Sequence, residues 1–119
     1  MRWLAVVPLW VLVAGFAFAQ EKFPVKAVQM IAPLAAGTTI DFVARAYAEL
    51  LAQRLGQSVV VQNRPGAGGT IAAQSVAKAA PDGYTILIVN SQHTINPTLY
   101  KSLPYDTLAE FSGIAQIGE

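Results

Sequence analysis

The chain has 119 residues, no cysteine and a formal net charge of +1 at pH 7. The absence of cysteine excludes a disulfide framework and thiolate chemistry. One of the eight basic residues, Arg2, lies in an apolar leader, so seven basic and seven acidic side chains follow that leader. Because this balanced charge offers no long-range attraction to polyanions, nucleic acid and anionic membranes are not expected partners.

Residues 1–19 are typical of a cleavable export signal. The stretch from Trp3 to Phe18 carries no charged side chain, and Ala17-Phe18-Ala19 has the small-x-small pattern of a cleavage site. This uncharged stretch has 16 residues, fewer than the roughly 20 apolar residues that a membrane-spanning helix needs. The pattern predicts cleavage before Gln20 and no direct membrane insertion afterwards, with an uncleaved signal anchor as the alternative.

After the leader, predicted strands alternate with predicted helices. Short apolar or β-branched runs predict strands, and apolar positions at steps of three and four predict helices. The predicted strands lie at 28–32, 58–62, 84–89 and 111–117. The predicted helices lie at 40–55, 70–80 and, as a short turn, 96–100.

The helix at 40–55 has the clearest start and stop signals. Thr38 or Thr39 is expected to cap its start, and Gly56 is expected to close it. Asp41 lies in the first turn, where the helix dipole favours a negative charge, so a structural role and a ligand-side role both stay open. The apolar positions expected to face the core are Ile40, Val43, Ala44, Tyr47, Leu50, Leu51 and Leu55.

Strands connected through helices by short loops predict a parallel α/β sheet with right-handed crossovers, in the strand order two, one, three. In such a sheet the loops that follow the strands converge on one edge, where helix N-termini present unpaired N–H groups. The three loops are the first (34–39), the second (64–70) and the third (90–94). They predict an anion site at this edge. The alternative is that Gly37 and Gly66 only make tight turns.

Five motifs follow one another along the chain after the leader. They are PLAAGTTID at 33–41, NRPGAGG at 63–69, VAKAAPDGYT at 76–85, NPTLY at 96–100 and LPYD at 103–106. Their order and spacing resemble the solute-binding receptors of tripartite tricarboxylate transporters, the Bug-type family. One position departs from the family pattern, because Thr38 stands where members usually carry the second glycine of a pair.

The resemblance implies a two-lobed periplasmic receptor of the flytrap type, which closes on a small carboxylate and delivers it to the membrane subunits of the transporter. Backbone amides and bridging waters of the first two loops would hold one carboxyl group. The residues carried over are Ala35, Ala36, Gly37, Thr38 and Asp41 at the first loop, Gly66, Ala67, Gly68 and Gly69 in the second, and Ser91, His93 and Asn96 near the third.

The resemblance also implies how the chain is divided into domains. Residues 20–110 would form the N-terminal α/β lobe, and 111–119 would begin the crossover to a second lobe that the chain lacks. Receptors of this family are much longer, so a single lobe would present only half a cleft. A non-functional truncated fragment is therefore an alternative to a working receptor.

Two enzyme classes are weaker alternatives. A nucleotide-binding α/β enzyme needs G-x-G-x-x-G, but Ile71 occupies the place of the third glycine. A serine hydrolase would use Ser75, Ser91 or Ser112 with His93, yet the chain has no G-x-S-x-G motif. The single histidine without cysteine is also a poor metal site. The sequence therefore predicts no catalytic residue, no metal and no cofactor.

Overall fold

The computed structural model describes residues 21–118, which form one sheet with helices on both faces. The strands are β1 (Val28–Ala32), β2 (Val59–Asn63) and β3 (Thr85–Leu87). The helices are α1 (Thr39–Leu55), α2 (Thr70–Ala77) and α3 (Gln92–Leu99), with a 3₁₀ turn (Ala67–Gly69) before α2. The predicted signal peptide at 1–19 lies outside the described residues. Between residues 21 and 118, no helix combines the length and the apolar character that a membrane crossing demands.

The sheet is parallel and has the order β2-β1-β3, which confirms the predicted fold class and strand order. At the end of β1, Ala32 is opposite Asn63 of β2, and Ile31 is opposite Leu87 of β3. Beyond the β2 ladder, the Arg64 amide donates to the carbonyl of Ala32 at 2.8 Å. Since all three strands run in the same direction, the three loops that follow them leave the same edge of the sheet.

Helix α1 covers one face of the sheet through small side chains. Ala44 and Ala48 are buried and pack with Met30 and Ala32 of β1 and with Ile88 after β3. Alanines at i and i+4 let the helix axis lie close to the strands. Gly56 ends α1 with φ +69°, as predicted.

The predicted core face of α1 was wrong at two positions. Tyr47 is 37% exposed and Leu50 is 56% exposed. The buried stripe runs through Ala44 and Ala48, and at about 100° per residue Leu50 lies about 120° around the helix from Ala44. The apolar spacing was compatible with several stripes, and the contact with β1 selected the one that contains the small residues.

Helix α2 packs on the opposite face, against β1 and β3. Ala72 and Ala73 are buried there, as is Ile31, whose side chain lies on the face opposite Met30 because strand residues alternate. The prediction that this helix runs to residue 80 was wrong, because α2 ends at Ala77.

Two further predictions were wrong after β3. Helix α3 begins at Gln92, so residues that were predicted to form a polar loop belong to the helix. No strand is present at 111–117, although the structure describes these residues. The ring of Phe111 packs edge-on against His93 and Tyr105, with centroids 5.1 and 5.7 Å away, which draws the chain past α3 and not along a sheet edge.

Candidate functional site

The first two loops touch at the edge of the sheet. Asn63, the last residue of β2, donates from Nδ2 to the carbonyl of Leu34 in the first loop at 3.0 Å. Behind it, Pro33 lies so close to the second loop that a Cβ atom added to Gly69 would be 3.2 Å from the proline Cβ. The loops that the sequence predicted to converge therefore do so.

The first loop turns at Gly37, whose φ of +85° belongs to the left-handed region. Its amide donates to Oδ2 of Asp41 at 3.0 Å. Thr38 occupies the N-cap position of α1 but does not cap it, because its hydroxyl donates to the carbonyl of Ala35 at 2.7 Å. The departure from the glycine pair therefore adds a hydrogen bond within the loop.

Asp41 is buried, with 5% of its surface exposed, and both carboxylate oxygens are bonded. Arg45 donates from Nε to Oδ2 at 3.1 Å, and Asn63 donates from Nδ2 to Oδ1 at 2.9 Å. The Arg45 bond, followed by those of Gly37 and Asn63, lowers the pKa of Asp41 to about 2. The carboxylate is thus ionised at neutral pH and already engaged by protein donors.

Four amides of the first loop have no acceptor within residues 21–118, those of Leu34, Ala35, Ala36 and Thr39. All four residues are exposed. The amide of Thr38 makes a 3.4 Å bond to Ala35, and that of Gly37 is held by Asp41. Ala35 and Ala36 are the two of these four residues that the family resemblance placed at the first binding loop.

The second loop contains four consecutive residues with positive φ. The angles are +126° at Gly66, +47° at Ala67, +62° at Gly68 and +85° at Gly69. L-residues with side chains adopt such angles at a cost of about 1–2 kcal/mol, so three glycines in this run fit the geometry and Ala67 is the strained member.

Helix α3 holds the second loop in this shape. Asn96 is 1% exposed and donates from Nδ2 to the carbonyl of Gly68 at 2.9 Å, while its Oδ1 accepts from Gln92 at 2.8 Å. The hydroxyl of Tyr100 donates to the carbonyl of Ala67 at 3.2 Å. With the carbonyls held from behind, the amides of residues 66–68 have no acceptor among the described residues.

A small crevice lies between the second loop and α3. Its lining contains no charged side chain and consists of Pro33, Gly68, Gly69, Leu87, Val89, Asn90, His93 and Asn96. The His93 ring stacks on Tyr105 at 5.9 Å with an angle of 9° between the planes. Burial lowers the pKa of His93, so the neutral imidazole predominates at pH 7.

The structure brings some of the sequence-predicted site residues together and separates others. Gly68, Gly69, His93 and Asn96 line one crevice. Residues 35–38 lie on the same edge but outside this crevice, and Ser91 is exposed at the start of α3. Within the part of the chain that the structure describes, no three His, Cys, Asp or Glu residues lie close enough together to hold a metal ion.

Sequence reasoning missed Asn63 and Arg45, which bind Asp41. Asn63 was assigned to the turn that breaks the second strand, and Arg45 to i+4 helix pairing alone. The position of Asn63 directly after a β-branched strand was the available signal, since side chains at strand ends of a parallel sheet face the loop edge.

The family model for the tripartite tricarboxylate transporter family receptor matches residues 43–119. The chain belongs to this family. Protein BugT of Bordetella pertussis is 38% identical over 122 residues, an alignment that covers 99% of this chain and 37% of BugT. The chain spans about a third of the length of the curated relatives it matches, 35% and 37% in two of them.

Solved structures of the family share this fold. The periplasmic binding protein BugD is 45% identical with a TM-score of 0.72, over 75% of this chain and 30% of BugD. MatC from Rhodopseudomonas palustris, solved with bound malate, is 40% identical with a TM-score of 0.71, over 75% of this chain and 31% of MatC. The described residues therefore correspond to one α/β lobe of a receptor of this family.

Proposed function

We propose that the chain acts in a periplasmic solute receptor that captures a small carboxylate and delivers it to a membrane transporter of the tripartite tricarboxylate type. The observation that carries this proposal is the pair of loops at one sheet edge with uncommitted main-chain donors. They are the amides of Ala35 and Ala36 in the first loop and of residues 66–68 in the second.

Neutral donors suit a carboxylate that must be released again. Backbone N–H groups at the ends of parallel strands bind anions without placing a fixed positive charge on the ligand. The crevice lining is uncharged, and neutral His93 and Asn90 add polar groups beside the second loop. The malate in MatC, whose fold this chain shares, supports a small dicarboxylate as the ligand class.

The surroundings of His93 favour binding over catalysis. Its ring packs against Tyr105 and Phe111, not against a nucleophile. The hydroxyl of Ser75, one of the serines considered as a nucleophile, donates to the Ala72 carbonyl within α2 at 2.7 Å. Ile71, which stands at the place of the third glycine of a dinucleotide-binding motif, packs against the second loop, since a Cβ atom on Gly66 would be 2.7 Å from its Cδ1.

The experiment is a thermal-shift and calorimetry panel on a chimera in which residues 21–118 replace the corresponding segment of BugD. We expect malate to raise the melting temperature progressively as its concentration rises above Kd, with a logarithmic dependence on concentration, and NAD to leave it unchanged. A ligand that binds only the folded state at 100 times its Kd stabilises it by about 2.7 kcal/mol.

Unmodified BugD, measured with the same panel, shows which responses come from the grafted segment. A second readout on the isotope-labelled chimera follows the amide resonances of Ala35, Ala36, Ala67 and Gly68 during a malate titration. A response to NAD without a response to any carboxylate, or a malate response that bypasses these four amides, contradicts the proposal.

A further inference from the structure

We infer that Asp41, Asn63 and Arg45 form a clasp that positions the first loop for the carboxylate ligand, and that Asp41 itself does not contact the ligand. This inference rests on the proposed function. It assigns positioning roles to Asn63 and Arg45, and it removes Asp41 from the set of direct ligand contacts.

The clasp holds the first loop at two points. At its start, Asn63 Nδ2 donates to the Leu34 carbonyl at 3.0 Å, and at its turn the Gly37 amide donates to Asp41 at 3.0 Å. The amides of Ala35 and Ala36, which have no acceptor among the described residues, lie between these two anchors. Their direction in space therefore depends on both anchors being in place.

The two anchors are tied to each other. Asn63 Nδ2 also donates to Asp41 Oδ1 at 2.9 Å, and Asn63 Oδ1 accepts from Arg45 at 3.2 Å. Since Asn63 ends β2 while Asp41 and Arg45 lie on α1, the clasp connects the first loop to the strand that leads into the second loop. The relative position of the two donor sets is thereby fixed by three side chains.

Arg45 compensates the negative charge of Asp41. A buried carboxylate beneath an anion-binding loop repels the ligand unless its charge is compensated. Arg45 donates from Nε to Oδ2 and places Nη2 3.0 Å from Oδ1, a two-point pair that satisfies both oxygens. Gly37 and Asn63 donate to the same two oxygens, so the carboxylate is engaged by protein groups on both sides.

The variant Asp41→Asn distinguishes a positioning role of Asp41 from a purely electrostatic one. Removal of a negative charge near an anion site strengthens anion binding if charge alone matters. A positioning role predicts that anion binding becomes weaker. The carboxylate accepts from Gly37 at one oxygen and from Asn63 at the other, and an Asn side chain has one acceptor and one donor end, so it would place an N–H group against one of these donors.

The experiment is a malate titration of the isotope-labelled BugD chimera, in which the grafted segment 21–118 is unmodified or carries a variant, with the amide shifts of Ala35 and Ala36 giving an apparent Kd and hydrogen exchange measured at Gly37. We expect Asp41→Asn to weaken malate binding about tenfold or more and to speed exchange at Gly37, because bonds to a charged acceptor are lost. Arg45→Gln is the milder variant, which keeps the carboxylate and its bonds to Gly37 and Asn63. It is expected to weaken binding by a smaller factor.

A further variant provides the control. Arg54→Gln removes the same charge from the last turn of α1, about 20 Å along the helix from Asp41. This variant is expected to bind malate as the unmodified chain does.

The outcomes distinguish the two proposals. If Asp41→Asn binds malate as tightly or more tightly than the unmodified chain while Gly37 stays protected from exchange, the clasp is refuted and the proposed function stands. If the unmodified chimera shows no response to malate at its loop amides, the proposed function fails. In that case faster Gly37 exchange in the Asp41→Asn chimera still supports the clasp as the element that holds the first loop, and unchanged exchange refutes it.

Discussion

The first and second loops follow neighbouring parallel strands and present free amides at the same edge, yet they are stabilised in different ways. The first loop has a single left-handed residue, Gly37, which is tied to the ionised side chain of Asp41. The second has four such residues in succession and is held through its carbonyls by the neutral side chains of Asn96 and Tyr100.

The comparison shows two ways to hold a loop in place while some of its amides stay free. A loop that offers N–H groups to a ligand must be kept in place without using those N–H groups. In the first loop a carboxylate holds the Gly37 amide and leaves those of Ala35 and Ala36 free. In the second loop the side chains of Asn96 and Tyr100 hold the carbonyls of Gly68 and Ala67, and the amides of residues 66–68 are not used for this support. The second loop therefore depends on the docking of α3, and the first depends on α1 and β2.

The largest expected effect comes from a pair of glycines with the same backbone angle. Gly37 and Gly69 both have φ +85°, but a Cβ on Gly37 would meet nothing within 4 Å, whereas one on Gly69 would lie 3.2 Å from the Pro33 Cβ. We expect Gly69→Ala to lower the free energy of unfolding by about 2–4 kcal/mol and Gly37→Ala by about 1 kcal/mol. Chemical denaturation measures both.

Equal losses for the two glycine variants would contradict this account. They would mean that the contact between Pro33 and the second loop yields without cost, and that backbone angle alone determines the penalty.

A smaller effect is expected at the side chain that holds the second loop. Asn96→Leu keeps a similar volume but leaves the Gly68 carbonyl and the Gln92 amide without their partner. We expect a loss of about 1–3 kcal/mol in the free energy of unfolding, the cost of an unpaired buried polar group. Thr98→Ala, at an exposed position of the same helix, is the control, with a change within about 0.5 kcal/mol.

The two loops also differ in the malate response of this variant. Asn96→Leu is expected to reduce the malate-induced chemical-shift changes of the amides at 66–68. The malate-induced changes at Ala35 and Ala36 are expected to stay the same. Equal loss at both sets of amides would show that the loops are not supported independently.

The smallest expected effect is a difference between the two loops in the pH at which they lose stability on acidification. The pKa of His93 is lowered from 6.5 by burial, so its contribution to stability is full above pH 6.5 and declines as pH falls below that value. The pKa of Asp41 is about 2 against an ordinary 3.8, so its contribution is full above pH 3.8 and is lost as pH falls towards 2. As pH falls, protection from amide exchange, taken relative to the intrinsic exchange rate at each pH, is therefore expected to be lost first around α3 and the second loop.

His93→Phe provides the control for this order, because it keeps an aromatic ring between Tyr105 and Phe111 without a titrating group. In this variant the loss of exchange protection below pH 6.5 should disappear, while the loss of protection of the first loop below pH 3.8 should remain. An unmodified chain whose first loop opens before its second on acidification would contradict the assignment.

Part of the fold and of the site was predictable because it depends on local backbone chemistry. The glycine turn of the second loop and the C-cap at Gly56 follow from residues that are near in sequence. The role of Asn63 was not predictable in the same way. Its partners, Leu34 and Asp41, are 29 and 22 residues away in sequence, and only the parallel pairing of β1 with β2 brings them together.

By itself, the sequence determined the alternation of strands and helices, the strand order and the common edge of the three loops, because apolar period and loop length leave few topologies for a parallel sheet. Only the tertiary structure decided which face of α1 is buried, that α3 begins at Gln92, and which amides stay free. Those outcomes depend on side-chain contacts between distant segments, which no local pattern specifies.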